Sequence, residues 1–408
     1  MKLCILTHLF PARSETFVRE HVVGMSRRGH QVTVIARNMD DGITERELNE
    51  LDELGIKRVY VGQYDSFISE LVGLVRAMLR SPRRYWLLRH PKPWSRRELL
   101  LALDIVKRID KCQPDCIHVH FGNLAARIQR VRSFVHSLPP MLATWHGYEA
   151  NVLPRSLGKD LYHDLFATEA LHTVGSQFMQ RRLLELGARA EQTAINPMGI
   201  DLNKFAFLKR QFKDTAPLRI VSVGRLDEMK GYRFLIDAVT ILKQRGVPVR
   251  LRVIGEGPLR LVLEQQIEAS GVGDWVELLG AVPSEKVVEE MHHAGLFVLG
   301  GVEAQNGRIE AQGVVFAEAQ ATGLPVIASD VGGVSDSLID GETGILCPPG
   351  DSTALADAIE YFARNRQLLT IFGRKGRHLA EQRFSLEVML EKFDHLYLNR
   401  INKDYSNT

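Results

Sequence analysis

Cysteine is scarce in this chain: Cys4, Cys112, Cys116 and Cys347 are the only four in 408 residues. So few cannot staple a scaffold of this length, and they fit a reducing cytosol better than an oxidising compartment. Long apolar runs are missing too, since no uncharged stretch approaches the ~20 residues a spanning helix needs. The opening MKLCILTH has one lysine and a short apolar run, then Arg13 and Glu15, so it reads as a first strand rather than a signal peptide. A net charge of +3 is too small to imply nucleic acid. The expected setting is cytoplasmic, at most on the inner surface of a membrane. Cys116, His118 and His120 would share one face of a strand with Cys112 close by, but the spacing matches no common zinc module, and no metal site is expected.

What the chain does have is apolar content, 45%, enough to bury two substantial cores. In the first half Leu3–Thr7 reads as a buried strand, Thr16–Arg28 as an amphipathic helix and Gln31–Ala36 as the next strand, which makes a βαβ unit. Alternation resumes with strands Cys116–Phe121, Met141–Trp145 and Leu171–Val174. A second series begins at Arg219–Val223 and runs through a helix at Tyr232–Arg245 to Val326–Ala328 and Thr343–Cys347. The fold class is therefore α/β, with two domains.

Within the first domain, between Gln31–Ala36 and Cys116–Phe121, lies a basic interlude. Arg76, Arg80, Arg83, Arg84, Arg89, Lys92, Arg96 and Arg97 interleave with Tyr85, Trp86, Leu87, Leu88 and Trp94. Such a segment, 76–97, suits an anionic lipid interface, or else it is a solvated helical face over a local core.

The stretch with most chemistry runs from Gly300 to Gly333. Glu310 and Glu318 stand with seven residues between them, and a helix is expected to start near Gly313 in that interval. A helix N-terminus presents unpaired N–H groups, here those of Val314 and Val315, so phosphate is a natural guest. Two solvated glutamates on a surface helix would give the same spacing. Upstream, Gly224-Arg225-Leu226-Asp227-Glu228-Met229-Lys230-Gly231 turns between a strand and a helix, and its two cations can converge on one anion. Gly255-Glu256-Gly257-Pro258 is a further glycine turn, but no acidic residue completes a dinucleotide fingerprint.

Glu318-Ala319-Gln320-Ala321-Thr322-Gly323-Leu324-Pro325-Val326, with Glu310 before it and the Gly224–Gly231 turn upstream, resembles the family 4 glycosyltransferases. That resemblance implies a GT-B fold: two Rossmann-like domains whose parallel sheets face a central cleft, here an acceptor domain at 1–200 and a nucleotide-sugar donor domain at 201–384. The last helices, about Gln367–Arg383 and Ser385–Arg400, resemble the family segment that packs back onto the first domain, so 385–408 is expected there. Asn196–Asp201 resembles the link between domains. By the same resemblance Gly224, Arg225 and Lys230 clamp the donor diphosphate, with Gly313, Val314 and Val315 beside it, while Glu310 orients the donor sugar and Glu318 the ribose.

His146, in Thr144-Trp145-His146-Gly147-Tyr148-Glu149, matches the family segment whose histidine lies near the reacting sugar carbon. Glu149 stands where aspartate is common. The loop Pro11-Ala12-Arg13-Ser14-Glu15-Thr16-Phe17 looks like the exopolysaccharide branch, of the colanic acid kind. There Ser14, Glu15 and Thr16, with His120 and Glu149, are expected near the acceptor, and Ser14 also suits a helix cap. Gln312 and Asp336 replace the usual proline and glutamate, changes expected to bear on which sugar is held.

The resemblance implies a retaining transfer from a nucleoside-diphosphate sugar to a glycan or lipid-linked acceptor. The chain contains no Asp-x-Asp to hold a metal-bound diphosphate, so no cofactor and no metal ion are expected. The alternatives are a non-catalytic nucleotide-sugar-binding protein and an epimerase or hydrolase on the same fold.

Overall fold

The computed structural model describes residues 1–12, 15–62, 92–132, 138–210 and 216–406, with residues 66, 69, 71–73, 75 and 88. The chain forms two compact units. One comprises Met1–Val174, Met179–Asn196 and Leu390–Thr408; the other comprises Gly175–Phe178 and Pro197–Met389.

The first unit is built on seven strands: β1 (Lys2–Leu6), β2 (Gln31–Ala36), β3 (Lys57–Tyr60), β4 (Cys116–His120), β5 (Met141–Trp145), β6 (Leu171–Val174) and β7 (Thr193–Ile195). They pair in the order β3-β2-β1-β4-β5-β6-β7, all parallel, with Leu3 level with Val32 on one side and Cys116 on the other. Helices cover both faces of such a sheet, which is why the central strands are apolar along their length instead of alternating. β4, Cys-Ile-His-Val-His, is wholly buried although two of its five residues are histidines.

Helix Thr16–Arg27 returns the chain from β1 to β2 and buries His21 in the same stripe as Val18, Val22 and Met25. Capping boxes start two other helices, Thr44 with Glu47 and Ser95 with Glu98, each satisfying two otherwise orphaned amides. The closing helix, Leu386–Ser406, gives this unit Leu390, Asp394 and Tyr397; Asp394 pairs with Arg28 at 2.6 Å and His30 at 2.7 Å.

The second unit has six parallel strands: β8 (Leu218–Val223), β9 (Val249–Ile254), β10 (Val276–Gly280), β11 (Leu296–Leu299), β12 (Val326–Ser329) and β13 (Gly344–Cys347), in the order β10-β9-β8-β11-β12-β13. One apolar cluster fills it, with Phe297 edge-on to Phe316. Asp351 caps the helix Ser352–Arg364 by accepting from the Ala354 amide at 2.9 Å.

In each sheet the strand order reverses once, between β1 and β4 and between β8 and β11. Loops that leave the carboxyl ends of such a strand pair diverge to opposite faces and leave a crevice, the usual place for a ligand in this architecture. Among the described residues no helix is long and apolar enough to cross a membrane. Most of the basic segment 76–97 lies outside the described residues, as does Ser14; the position before helix Thr16–Arg27 is filled by Glu15, whose side chain makes no cap.

Candidate active site

In the second unit, β8 delivers the turn Gly224–Gly231 and β11 delivers the loop that ends at helix Val314–Ala321. Close backbone contact binds the two loops. Gly231 has φ +62°, and a Cβ there would lie 1.7 Å from the Gly300 carbonyl oxygen, so neither its conformation nor its surroundings admit a side chain. The Val302 amide donates to the Met229 carbonyl at 3.0 Å, and Arg308 pairs with the buried Asp227 at 3.0 Å.

Across this seam the Lys230 ammonium donates to a Glu310 carboxylate oxygen. Burial works to raise the Glu310 carboxyl, but the Lys230 charge and the amides of Gly313 and Ala311 outweigh it and hold the group below the usual carboxylate range. Arg225, at the other end of the turn, is exposed, and its guanidinium has no hydrogen-bond or ion-pair partner among the described residues. Gly313 takes φ +76° and opens the helix; the first amides, those of Val314 and Val315, precede its internal ladder. One turn on, burial pushes the Glu318 carboxyl up to about 7, against the opposing charge of Lys204.

Gly332 and Gly333 pack against this loop from behind: added Cβ atoms would lie 2.1 Å from the Glu310 carbonyl oxygen and 2.0 Å from that of Ala311. The turn at Gly255–Pro258 has a similar use. Its glycines press on the Gly224 and Leu226 carbonyls, where a Cβ would come within 1.9 and 2.4 Å.

This second unit matches the family model described as Glycosyl transferases group 1 over residues 203–379, and residues 14–204 match Glycosyltransferase Family 4. An amylovoran biosynthesis glycosyltransferase of Erwinia amylovora is 30% identical over 367 residues, 87% of this chain and 89% of that one. The chain is a family 4 glycosyltransferase. A putative colanic acid biosynthesis glycosyltransferase of Escherichia coli K12 is 27% identical across 95% of this chain and 97% of that protein. Anabaena HepE in complex with UDP superposes with a TM-score of 0.73 at 19% identity, covering 98% of this chain and 100% of that one. The fold is GT-B.

In the glycosyltransferase's first unit the crevice edge is aromatic. His146 follows β5, and its ring lies 4.4 Å from that of Phe17 and 4.7 Å from that of Phe121. Phe121 follows β4 with φ +77°, an uncommon conformation for a bulky side chain and one that marks functional loops. His8, after β1, stacks on Phe121 at 5.2 Å, and burial, aided by the Arg127 charge, holds its imidazole down to about 4. Glu15 accepts a long bond from Thr7 at 3.4 Å; burial, with nearby Glu149 adding to it, raises its carboxyl to about 7.

Two residues expected to meet the acceptor do something else. Glu149 is only 1% exposed, and one carboxylate oxygen accepts from the His146 amide at 2.8 Å and the Gly122 amide at 3.4 Å, tying the loops after β5 and β4 together. Burial leaves its carboxyl raised despite these bonds. His120 is 0% exposed and spends both ring nitrogens on other histidines, which leaves none for a sugar.

The two departures from the family pattern are also structural. The Gln312 side-chain amide accepts from the Met198 amide at 2.8 Å and donates to its carbonyl at 3.2 Å, while Asp336 accepts from the Gln177 amide at 2.6 Å. Both fasten backbone. His8, Phe17, His21, Phe121 and Tyr397 were not among the expected site residues. His21 had a legible signal, a histidine in an otherwise apolar helical stripe; Tyr397 had none.

Proposed function

We propose that this glycosyltransferase moves a sugar from a nucleoside-diphosphate sugar to a glycan or lipid-linked acceptor during exopolysaccharide assembly, with retention of configuration and without a metal ion. The amylovoran and colanic acid relatives support the biological setting, and the UDP held by Anabaena HepE supports a nucleotide donor.

The observation that carries the reading is the Lys230–Glu310 pair at the strand-order reversal, beside an open helix N-terminus. Cleaving the donor puts negative charge on the diphosphate and positive character on the anomeric carbon. An ammonium has three N–H groups, so Lys230 can keep Glu310 in place and still reach phosphate, with Arg225 as the second cation. The Val314 and Val315 amides, admitted by the left-handed Gly313, face the same charge. Two cations and a helix N-terminus do the work that a divalent ion does elsewhere. Glu310, held ionised, accepts from the sugar's hydroxyls, and Glu318 accepts from the ribose. His146 serves the reacting sugar, and the loop with Glu15 and Thr16 serves the acceptor. The first domain, 1–200 with 385–408, is the acceptor side, and 201–384 is the donor side.

Segment 76–97 is the proposed membrane contact, which would place the enzyme on the cytoplasmic face. Leu71, Val72 and Val75, just before it, are 49%, 43% and 43% exposed, apolar surface that a lipid interface would cover.

Calorimetry with UDP, GDP and ADP in metal-free buffer tests the donor site. One nucleotide is expected to bind, and Lys230→Ala or Glu318→Ala to weaken it by ~1–3 kcal/mol, the range for a charge-assisted bond. Absence of binding by all three would remove the reading's main support. Rapid donor turnover without acceptor would instead favour a hydrolase or epimerase.

A further inference from the structure

Four histidines, a tyrosine and two threonines of the first unit form a single unbranched hydrogen-bonded chain. His146 Nε2 meets His120 Nδ1 at 3.1 Å, and His120 Nε2 meets His21 Nδ1 at 3.0 Å. His21 Nε2 meets the Tyr397 hydroxyl at 2.9 Å, and that hydroxyl meets His118 Nδ1 at 2.5 Å. His118 Nε2 meets the Thr144 hydroxyl at 2.7 Å, which meets Thr173 at 2.6 Å. Five elements contribute: helix Thr16–Arg27, β4, β5 with the loop after it, β6 and the closing helix Leu386–Ser406.

Among the described residues no carboxylate and no cation bonds to the side chain of any member, and burial, with neighbouring imidazoles adding to it at His21, His118 and His146, drives all four rings well away from protonation. Each ring is neutral, with one N–H and one lone pair. In such a chain the direction of one hydrogen bond dictates all the others, because every ring that accepts on one side must donate on the other, and a hydroxyl that accepted from both sides would leave its own buried hydrogen unmet.

Only two directions exist. If hydrogens run from His146 toward Thr173, the last hydroxyl hydrogen has no acceptor, since Thr144 is Thr173's only side-chain partner among the described residues and Thr173 is 0% exposed. An unmet buried hydroxyl is costly. If they run the other way, each hydrogen within the chain has an acceptor, and only the His146 Nδ1–H at its end is left for a ligand. Thr173 donates to Thr144, Thr144 to His118 Nε2, His118 Nδ1–H to Tyr397, Tyr397 to His21 Nε2, His21 Nδ1–H to His120 Nε2, and His120 Nδ1–H to His146 Nε2.

We propose that this chain locks His146 with its proton on Nδ1, making it a hydrogen-bond donor toward an oxygen lone pair of the bound sugar or acceptor and not a general base. His21, His118, His120, Tyr397 and Thr173 are positioning residues that act through it. The function assigned to the lock rests on the proposed transferase reading, in which His146 serves the sugar; the tautomer itself does not.

One competing use of the cluster is a metal ion, since ligand atoms of His21, His118 and His120 all lie within 4.8 Å of one another. The arrangement argues against it. His21 Nδ1 and His120 Nε2 face each other across a single shared hydrogen, so their lone pairs are not both free.

Long-range proton–nitrogen correlation on histidine-labelled full-length protein reads the tautomer directly, with His146 assigned from the signals lost in His146→Gln. The expected result is a protonated Nδ1 and an unprotonated Nε2. Thr173→Val, nearly equal in volume, removes the terminal hydroxyl, and Tyr397→Phe breaks the chain in the middle. Either is expected to shift His146 toward the other tautomer and to lower kcat about tenfold, the size of one lost hydrogen bond, with the donor's KM unchanged. A His146 protonated at Nε2 in the wild type, unaltered His146 signals in both variants, or zinc at one equivalent in the purified protein would each overturn the proposal. Full transferase activity in His146→Gln would sink the role of His146 while leaving the tautomer result standing.

Discussion

Lys230 and Glu310 hold each other across the point where the second unit's strand order reverses, each brought there by a different loop. The pair is recessed, with side chains 17% and 16% exposed, so removal of one partner leaves the other desolvated and unmatched. Lys230→Ala is therefore expected to cost stability as well as donor affinity. A double-mutant cycle with Glu310→Ala, read by thermal unfolding, should show the double variant less damaged than the sum of the singles. Simple additivity would mean that the pair does not act as a unit.

With Glu318 in its proposed place at the ribose, donor binding is expected to depend on pH. Its carboxyl, raised to about 7, is half ionised near neutrality. The carboxylate is the better acceptor for ribose hydroxyls, so affinity for an intact nucleotide sugar, whose diphosphate has no titration in this range, should rise as pH passes through 7. Glu318→Gln should flatten that profile. The linkage to folding has the opposite sign: the folded state holds a proton that an unfolded glutamate, with a pKa of ~4.3, has released. Its contribution is unfavourable above that value and grows as pH rises toward 7. Calorimetric titration from pH 6 to pH 8 on wild type and variant reads the binding effect.

Gly231→Ala should disable the donor site without touching any charged group. The new Cβ meets the Gly300 carbonyl oxygen and the backbone is held at positive φ, so the turn must move. A loss of ~1–3 kcal/mol in unfolding stability is expected, with Lys230 displaced from Glu310. An alanine variant with wild-type melting and affinity would show that the two loops are less tightly seated than their contact implies.

Glu149→Gln should weaken the first unit's loop clasp. Its carboxylate joins the His146 and Gly122 amides, and the neutral amide accepts more weakly and brings donors of its own into a buried place. Transferase activity should fall at least severalfold with donor binding unchanged, which separate measurements of nucleotide affinity and turnover distinguish.

Activity is expected to persist in excess EDTA, because the cations proposed for the diphosphate are side chains. Loss of turnover on chelation, restored by a divalent ion, would show that Arg225 and Lys230 do not suffice.

The frame was legible in the sequence because parallel strands leave long apolar words. Gln31–Ala36, Met141–Trp145 and Leu171–Val174 stand where the residue pattern puts them. The Gly224–Gly231 turn was legible for a related reason: glycines and charges crowd into a few consecutive positions. Long-range assembly was not. His120 reads as a candidate for ligand contact at a strand edge until two other histidines are found on its nitrogens, and Gln312 reads as a substrate-facing change until Met198 is found against it. Sequence spacing gives the direction of a side chain along its own element but says nothing of what a distant segment brings to meet it.

Tyr397 closes onto His21 across 376 positions of chain. The first unit therefore lacks part of its core until the closing helix has left the ribosome, although its sheet is the earliest made. During synthesis the second unit has all of its own segments first. The first unit is thus the later of the two to be finished, and its buried His21 and His118 each wait for the Tyr397 hydroxyl until the closing helix is made.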